Sequence, residues 1–290
     1  MDPKPQTLGG VIEKLKEHEP DIVDILVSFV VKEIEGVDVT DSEYDKDKLN
    51  KLTIPQGTIE IKDNAFEDCI RLSEVHFPIS LKTIGEKAFV GCTGLDEIYF
   101  PSKSVLRDLG YATFSDCVSL TKVDIPLHVS AIGPWAFAGC TNLVEINLPH
   151  DSALQIIREE AFVGCVSLTE IRIPRLLYSI DYRAFMGCTG LTDVHFTDDS
   201  ELDFIGGQAF YQCTNLTEIH FPPSLTEIKN FAFHGCTRLT ELHFPRDIDL
   251  YTIEESAFKK CPVLNDVFCT EQIWGKFQSR FAGATFHNIE

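Results

Sequence analysis

Nine cysteines fall at positions 69, 92, 117, 140, 165, 188, 213, 236 and 261, so the steps between them alternate strictly between 23 and 25 residues. Each sits in the same local phrase. Phenylalanine lies three residues before it, from Phe66 to Phe258, and leucine three after it, from Leu72 to Leu264. Apolar residues recur six and, with one cysteine among them, eight positions on. A fixed period of 20–50 residues is the signature of a solenoid, in which no single repeat buries its own apolar face and stacking builds the core. Most of the hydrophobic residues and cysteines are thereby assigned to structure.

The alternation defines a 48-residue double unit, present four times from Cys69 to Lys260. Within one unit, Leu216–Pro222 (Leu-Thr-Glu-Ile-His-Phe-Pro) predicts a short strand: Ile219 and Phe221 point inward while Glu218 and His220 face solvent. Proline then ends it in most repeats (Pro78, Pro126, Pro174, Pro222), because it has no N–H for a ladder. An apolar turn follows, as at Leu81 and Ile84, and the Ala-Phe-x-Gly-Cys segment predicts one or two helical turns on the opposite side. Gly91, Gly139, Gly164, Gly187 and Gly235 precede their cysteines, where a left-handed helix end favours glycine. The longer repeats place their two extra residues after the strand, at 101–104, 149–152, 197–200 and 245–248, which predicts bulges along one edge on every second rung.

These phrases resemble the BspA-type leucine-rich repeats. Leu72–Pro78, Ser80-Leu81, Ile84-Gly85 and Ala88–Cys92 match that signature almost in full, and the resemblance spans about residues 49–270. It implies an α/β leucine-rich-repeat solenoid with short parallel strands on the concave face, short helical turns on the convex face, and helical caps. It also implies a protein-binding module, with surface-associated adhesins among the members. The expected organisation is a helical N-terminal cap over 1–48, about nine repeats over 49–270, and a C-terminal cap over 271–290. In the first segment Pro20 precedes Ile22, Ile25, Leu26, Phe29 and Val30 at helical spacing, and in the last Trp274, Phe277 and Phe281 are placed to close the final rung.

The formal charge of −20 argues against nucleic acid or an anionic membrane as partner, since phosphate binding needs clustered Lys and Arg. The most apolar run, Ile25 to Val31, is far too short to span a bilayer. The chain opens Met-Asp-Pro-Lys-Pro without a leader-like segment, so a cytoplasmic location is expected, with the cell surface as the alternative implied by the resemblance. Regularly spaced thiols fit a reducing compartment better than a disulfide framework, and parallel side chains on stacked rungs make poor disulfide geometry.

No phosphate-binding glycine loop, Gly-x-Ser-x-Gly elbow, His-Glu-x-x-His or Cys-x-x-Cys occurs, so no enzyme and no cofactor is expected. The remaining signal is the outward strand face. Five residues after each cysteine, eight of nine positions are acidic, Lys122 being the exception. Seven after it stand His76, Tyr99, Asp124, Asn147, Arg172, His195, His220, His243 and Phe268. The candidate partner-binding residues are Glu145, Glu170, Arg172, Asp193, His195, Glu218, His220, Glu241 and His243. Histidines on three consecutive rungs span roughly 10 Å, too wide for one tetrahedral ion, though His/carboxylate pairs on two rungs remain open. No metal is expected. The aspartates of the bulges (Asp151, Asp198, Asp199, Asp247, Asp249) lack the glycine turn and ligand rhythm of calcium loops. The expected function is a monomeric, non-enzymatic scaffold that takes a protein or peptide partner, of basic character, on an acidic concave face. A surface adhesin binding host or matrix proteins is the alternative.

Overall fold

A computed structural model describes residues 49–281 and 283–290 together with the strand Asp38–Val39. Successive coils stack in parallel, and their strands form two families. One is a continuous ladder of ten two-residue strands running from Asp38–Val39 through Glu60–Ile61 and Thr83–Ile84 to Thr252–Ile253. The other comprises the predicted outward-facing strands of three or four residues, from Lys51–Thr53 to Asp266–Cys269. In that family the middle residue is buried and its neighbours are not, as in Glu218–Ile219–His220. This is the period of two that the sequence displays.

The two-residue ladder corrects the sequence reading. The segment around Ile84 is a strand and not a simple apolar turn, with Ile84 paired to Ile61 and Leu109. Glycine follows the inward residue in several coils because a neighbouring coil passes close by. A Cβ on Gly133 would collide with the carbonyl oxygen of Leu109.

The convex helical turns are a second correction. Through each of these Phe-x-x-Cys segments the chain makes turns, because two positions per coil, and Lys260 alone in the last, adopt positive φ. In one coil these are Lys87 (56°) and Gly91 (70°), and in another Trp135 (60°) and Gly139 (71°). The predicted left-handed glycines are present, but they close a turn and not a helix. The backbone donors point to the next coil. The N–H groups of Asn64, Phe66 and Asp68 donate to the carbonyls of Glu86, Ala88 and Val90 at 2.9, 2.7 and 2.8 Å. Coil-to-coil bonds thus largely replace the i to i−4 bonds of a helix, and backbone groups that would otherwise be orphaned inside the protein are satisfied.

Between the ladders lies one continuous core. The phenylalanines stack in a column from Phe66 to Phe258 with ring centroids 5.0–5.6 Å apart and near-parallel planes. Beside it the cysteines form a second column, and all ten cysteines are free. Each thiol from Cys92 onward in the repeat donates to a phenylalanine carbonyl further back, such as Cys140 Sγ to Phe114 O at 3.2 Å and Cys188 Sγ to Phe162 O at 3.2 Å. Phe114 O also receives the N–H of Cys117 at 3.3 Å, so both lone pairs of that carbonyl are used.

The longer repeats behave as predicted along one edge. His150 reaches past the intervening coil to Asp199 at 3.5 Å, joining two bulges. The outward strands, however, fall into four hydrogen-bonded groups, with breaks between Glu97–Tyr99 and Lys122–Asp124, between Glu145–Asn147 and Glu170–Arg172, and between Asp193–His195 and Glu218–His220. Each of these three breaks falls at a 25-residue step, where two extra residues follow the strand, whereas the fourth such step, from Glu241–His243 to Asp266–Cys269, keeps its pairing.

The C-terminal cap is only partly helical, which corrects the expectation of helical caps. Thr270 caps the short helix α1 (Glu271–Phe277) by accepting the N–H of Ile273, and a 3-10 turn follows over Gln278–Arg280. Phe281 then ends the aromatic column against Phe258 at 5.7 Å, and Thr285–Asn288 adds a last strand parallel to Asp266–Cys269. Trp274, Phe277 and Phe281 do cover the final rung, with Phe277 and Phe281 buried. The predicted N-terminal helical cap over 1–48 lies outside the described residues except for Asp38–Val39, whose backbone pairs with Glu60–Ile61 as the first strand of the two-residue ladder.

Replacing Phe162, buried within the column, by alanine should destabilise the chain by about 3–5 kcal/mol. Phe258→Ala, at the capped end, should cost less. Urea-unfolding midpoints of the two variants check this ordering.

Candidate functional site

The outward strands carry the two predicted columns in register. Glu218 lies beside Glu241 and Glu241 beside Asp266, while His220 faces His243 and His243 faces Phe268. Carboxylates one strand spacing apart repel by about 0.8 kcal/mol in water before screening. The second column offsets this, because residues two apart on a strand share a face. His220 Nε2 lies 3.5 Å from Glu218 and His243 Nε2 3.1 Å from Glu241, whereas Asp266, with Phe268 two residues on, is met from the next strand by His287 Nε2 at 2.6 Å. The rings themselves stack, His220 on His243 at 4.1 Å, His243 on Phe268 at 4.4 Å and Phe268 on His287 at 4.5 Å. A four-ring ladder and a flanking acidic ladder therefore occupy the C-terminal part of the face.

Elsewhere the acidic positions meet stronger cations. Glu145 pairs with Lys122 at 2.9 Å, and that ammonium holds the Glu145 carboxyl below its ordinary value. Lys51 does the same to Glu74, with His76 adding to the effect. Arg172 lies 3.4 Å from Glu170, and His195 also approaches Glu170, at 3.6 Å. Asp193 accepts the hydroxyl of Thr192 at 2.6 Å. Of the nine predicted residues, the structure thus gathers Glu218, His220, Glu241 and His243 into one group, and Glu170, Arg172, Asp193 and His195 into another. Glu145 belongs to the Lys122 pair. His195 is separated from His220 by a break in strand pairing.

Sequence reasoning missed His287 and undervalued Phe268. No Cys-x-x-Leu phrase precedes Thr285–Asn288, so that strand carries no repeat signal. The only cue is the alternation of Phe286 and His287, which echoes Leu242 and His243.

The family model of the BspA type leucine-rich repeat region matches residues 38–154, 107–206 and 155–286, in 6 copies. The chain belongs to this family. Among solved structures it is similar to a leucine-rich repeat protein of T. pallidum, with 30% identity over 63% of this chain and 83% of that one and a TM-score of 0.56. It is also similar to a leucine rich cell surface protein of Faecalibacterium prausnitzii, with 21% identity over 86% of each chain and a TM-score of 0.40. No curated protein matches the chain. The family relationship fits a parallel leucine-rich-repeat solenoid whose members act as interaction scaffolds. Among the described residues, no helix is long and apolar enough to cross a membrane.

The thiol column adds no exposed nucleophile. Burial raises Cys188 to about 12, whereas the less enclosed Cys261 rises to about 11. In native buffer Cys261 should therefore react with iodoacetamide before the buried members of the column, which mass-spectrometric mapping of the labelled peptides checks. An unfolded thiol ionises near the ordinary value of 9.0 while the folded chain keeps Cys188 protonated to about 12. The stability these thiols contribute is whole below pH 9 and is lost as pH rises from 9 towards 12. Urea midpoints under reductant should accordingly fall across that range.

Proposed function

We propose that this chain is a non-enzymatic interaction scaffold that binds an extended, Lys/Arg-rich protein segment along its outward strand face. One observation carries the reading: the acidic run of exposed Glu218 and half-buried Glu241 and Asp266 lies in strand register beside the stacked rings of His220, His243, Phe268 and His287. A rigid ladder presents this surface without ordering cost, and its closely spaced carboxylates complement the charge of a basic peptide. Glu145, Glu170, Arg172, Asp193 and His195 extend the same face towards the N-terminus. In this reading residues 1–48 and 271–290 cover the two ends of the stack, and the chain works as a monomer.

Ten free thiols favour a reducing compartment, hence the cytoplasm. A surface-associated repeat protein that binds host or matrix proteins is the alternative suggested by family membership. Finding the native chain outside the cell envelope would favour that alternative, and finding it in the cytosol would favour the scaffold.

A fluorescent Lys/Arg-rich peptide titrated into the full chain tests the docking surface. Glu218→Lys combined with Glu241→Lys should weaken binding at least about tenfold, or about 1.4 kcal/mol. The same reversal at Glu159 and Glu255, both exposed and off the strand face, should change it little. Equal losses in both variants, or no binding by the parent chain, would sink the proposal.

A further inference from the structure

The one place among the described residues where three metal-ligating side chains converge is Glu218, His220 and His243, whose ligand atoms all lie within 4.8 Å of one another. The placement follows from the fold. Glu218 and His220 are two apart on one strand and share its outer face, and the parallel register sets His243 directly beside His220. Both Nε2 atoms turn towards the carboxylate column, at 3.5 Å from Glu218 Oε1 and 3.1 Å from Glu241 Oε2. We propose that these residues form a binding site for a divalent transition-metal ion of the zinc class, with Glu218, His220 and His243 as ligands and Glu241 available as a fourth.

Ligands about 2.0–2.1 Å from a tetrahedral ion stand roughly 3.4 Å apart. Closing the widest separation in the group, at most 4.8 Å, to that spacing is a side-chain shift of about 1.4 Å. All four groups are at the surface or only partly covered, and the His220 side chain is 63% exposed. Two imidazoles with one or two carboxylates suit zinc, cobalt or nickel, whereas calcium and magnesium require oxygen-rich shells.

The arrangement is particular to these two coils. At the other end of the face Glu74 is already engaged by Lys51, and the ring beside His76 is Tyr99. In the central coils Arg172 takes the place of a second imidazole beside His195. Near the C-terminus Phe268 stands between His243 and His287, separating the last imidazole from the pair. Among the described residues Glu218 and Glu241 pair with the two histidines, so no lysine or arginine pair has to be broken there for the ion to enter. The site stands whether or not the face also takes a peptide.

Tag-free full chain, stripped with chelator and kept reduced, is titrated with zinc chloride by calorimetry. Saturable binding of about one equivalent is expected, with no heat from calcium or magnesium chloride. His220→Gln and His243→Gln should each weaken it at least tenfold, while His195→Gln and His287→Gln leave it unchanged. Cobalt(II) should give the intense visible bands of a four-coordinate ion and lose them in the His220→Gln/His243→Gln double variant, whose circular dichroism shows that the ladder is retained. Absence of saturable zinc binding, or binding that survives the double variant, would overturn the assignment; the latter result would place the ion elsewhere, for instance on the thiols.

Discussion

A coil of two dozen residues has too little chain to satisfy its own backbone, so its N–H and C=O groups must largely be met by the coils above and below. That requirement fixes the structure. The donors at Asn64, Phe66 and Asp68 are directed to the next coil, and the equivalent donors Lys87, Phe89 and Gly91 repeat the pattern one coil later, their acceptors shifted by the two extra residues of the longer repeat. Once this register is set, like residues must lie above like. The Phe column, the thiol column and the inward aliphatic residues of both strand families are all consequences of it. The positive-φ positions are the local cost, borne even by side chains as bulky as Trp135 and Phe231.

The same register that stacks apolar rings inside also stacks charge outside. A carboxylate ladder in isolation would oppose the fold, but Glu218 and Glu241 each have a ring nitrogen two residues along their own strand, and Asp266 has one from His287 on the next strand. In the coils nearer the N-terminus lysine or arginine performs that role. The outward face is thus divided into regions of different character on one uniform frame: pairs with lysine or arginine in the first and middle coils, and stacked rings with histidine-paired acids in the last.

How much of this is legible in the sequence depends on whether a feature repeats. The inward phenylalanines, leucines and cysteines recur once per coil, so their burial and alignment can be read directly. The Thr-Ile strand escapes notice because two residues are too few to display a period of two. Ala-Phe-x-Gly-Cys looks helical because its local cues, alanine and a left-handed glycine, are those of a helix end. Bonds to residues more than twenty positions away override those cues, and no local window contains them. At the candidate site, the proximity of His220 and His243 follows from repeat arithmetic. The isolation of His195 does not, because it depends on how two inserted residues interrupt strand pairing. His287 is invisible to the same arithmetic because its strand lacks the cysteine phrase.

The alternation of shorter and longer coils has an implication for how such a molecule changes length. The bulge carrying His150 touches the one carrying Asp199, two coils away, and the outward strands regroup at three of the four longer steps. The natural module is therefore a doublet. Gain or loss of a whole doublet re-creates every junction already present, whereas a single coil would set two bulges against each other or leave a gap between them. Growth and shrinkage of the array are in this sense quantised, and its lineage should have proceeded by pairs.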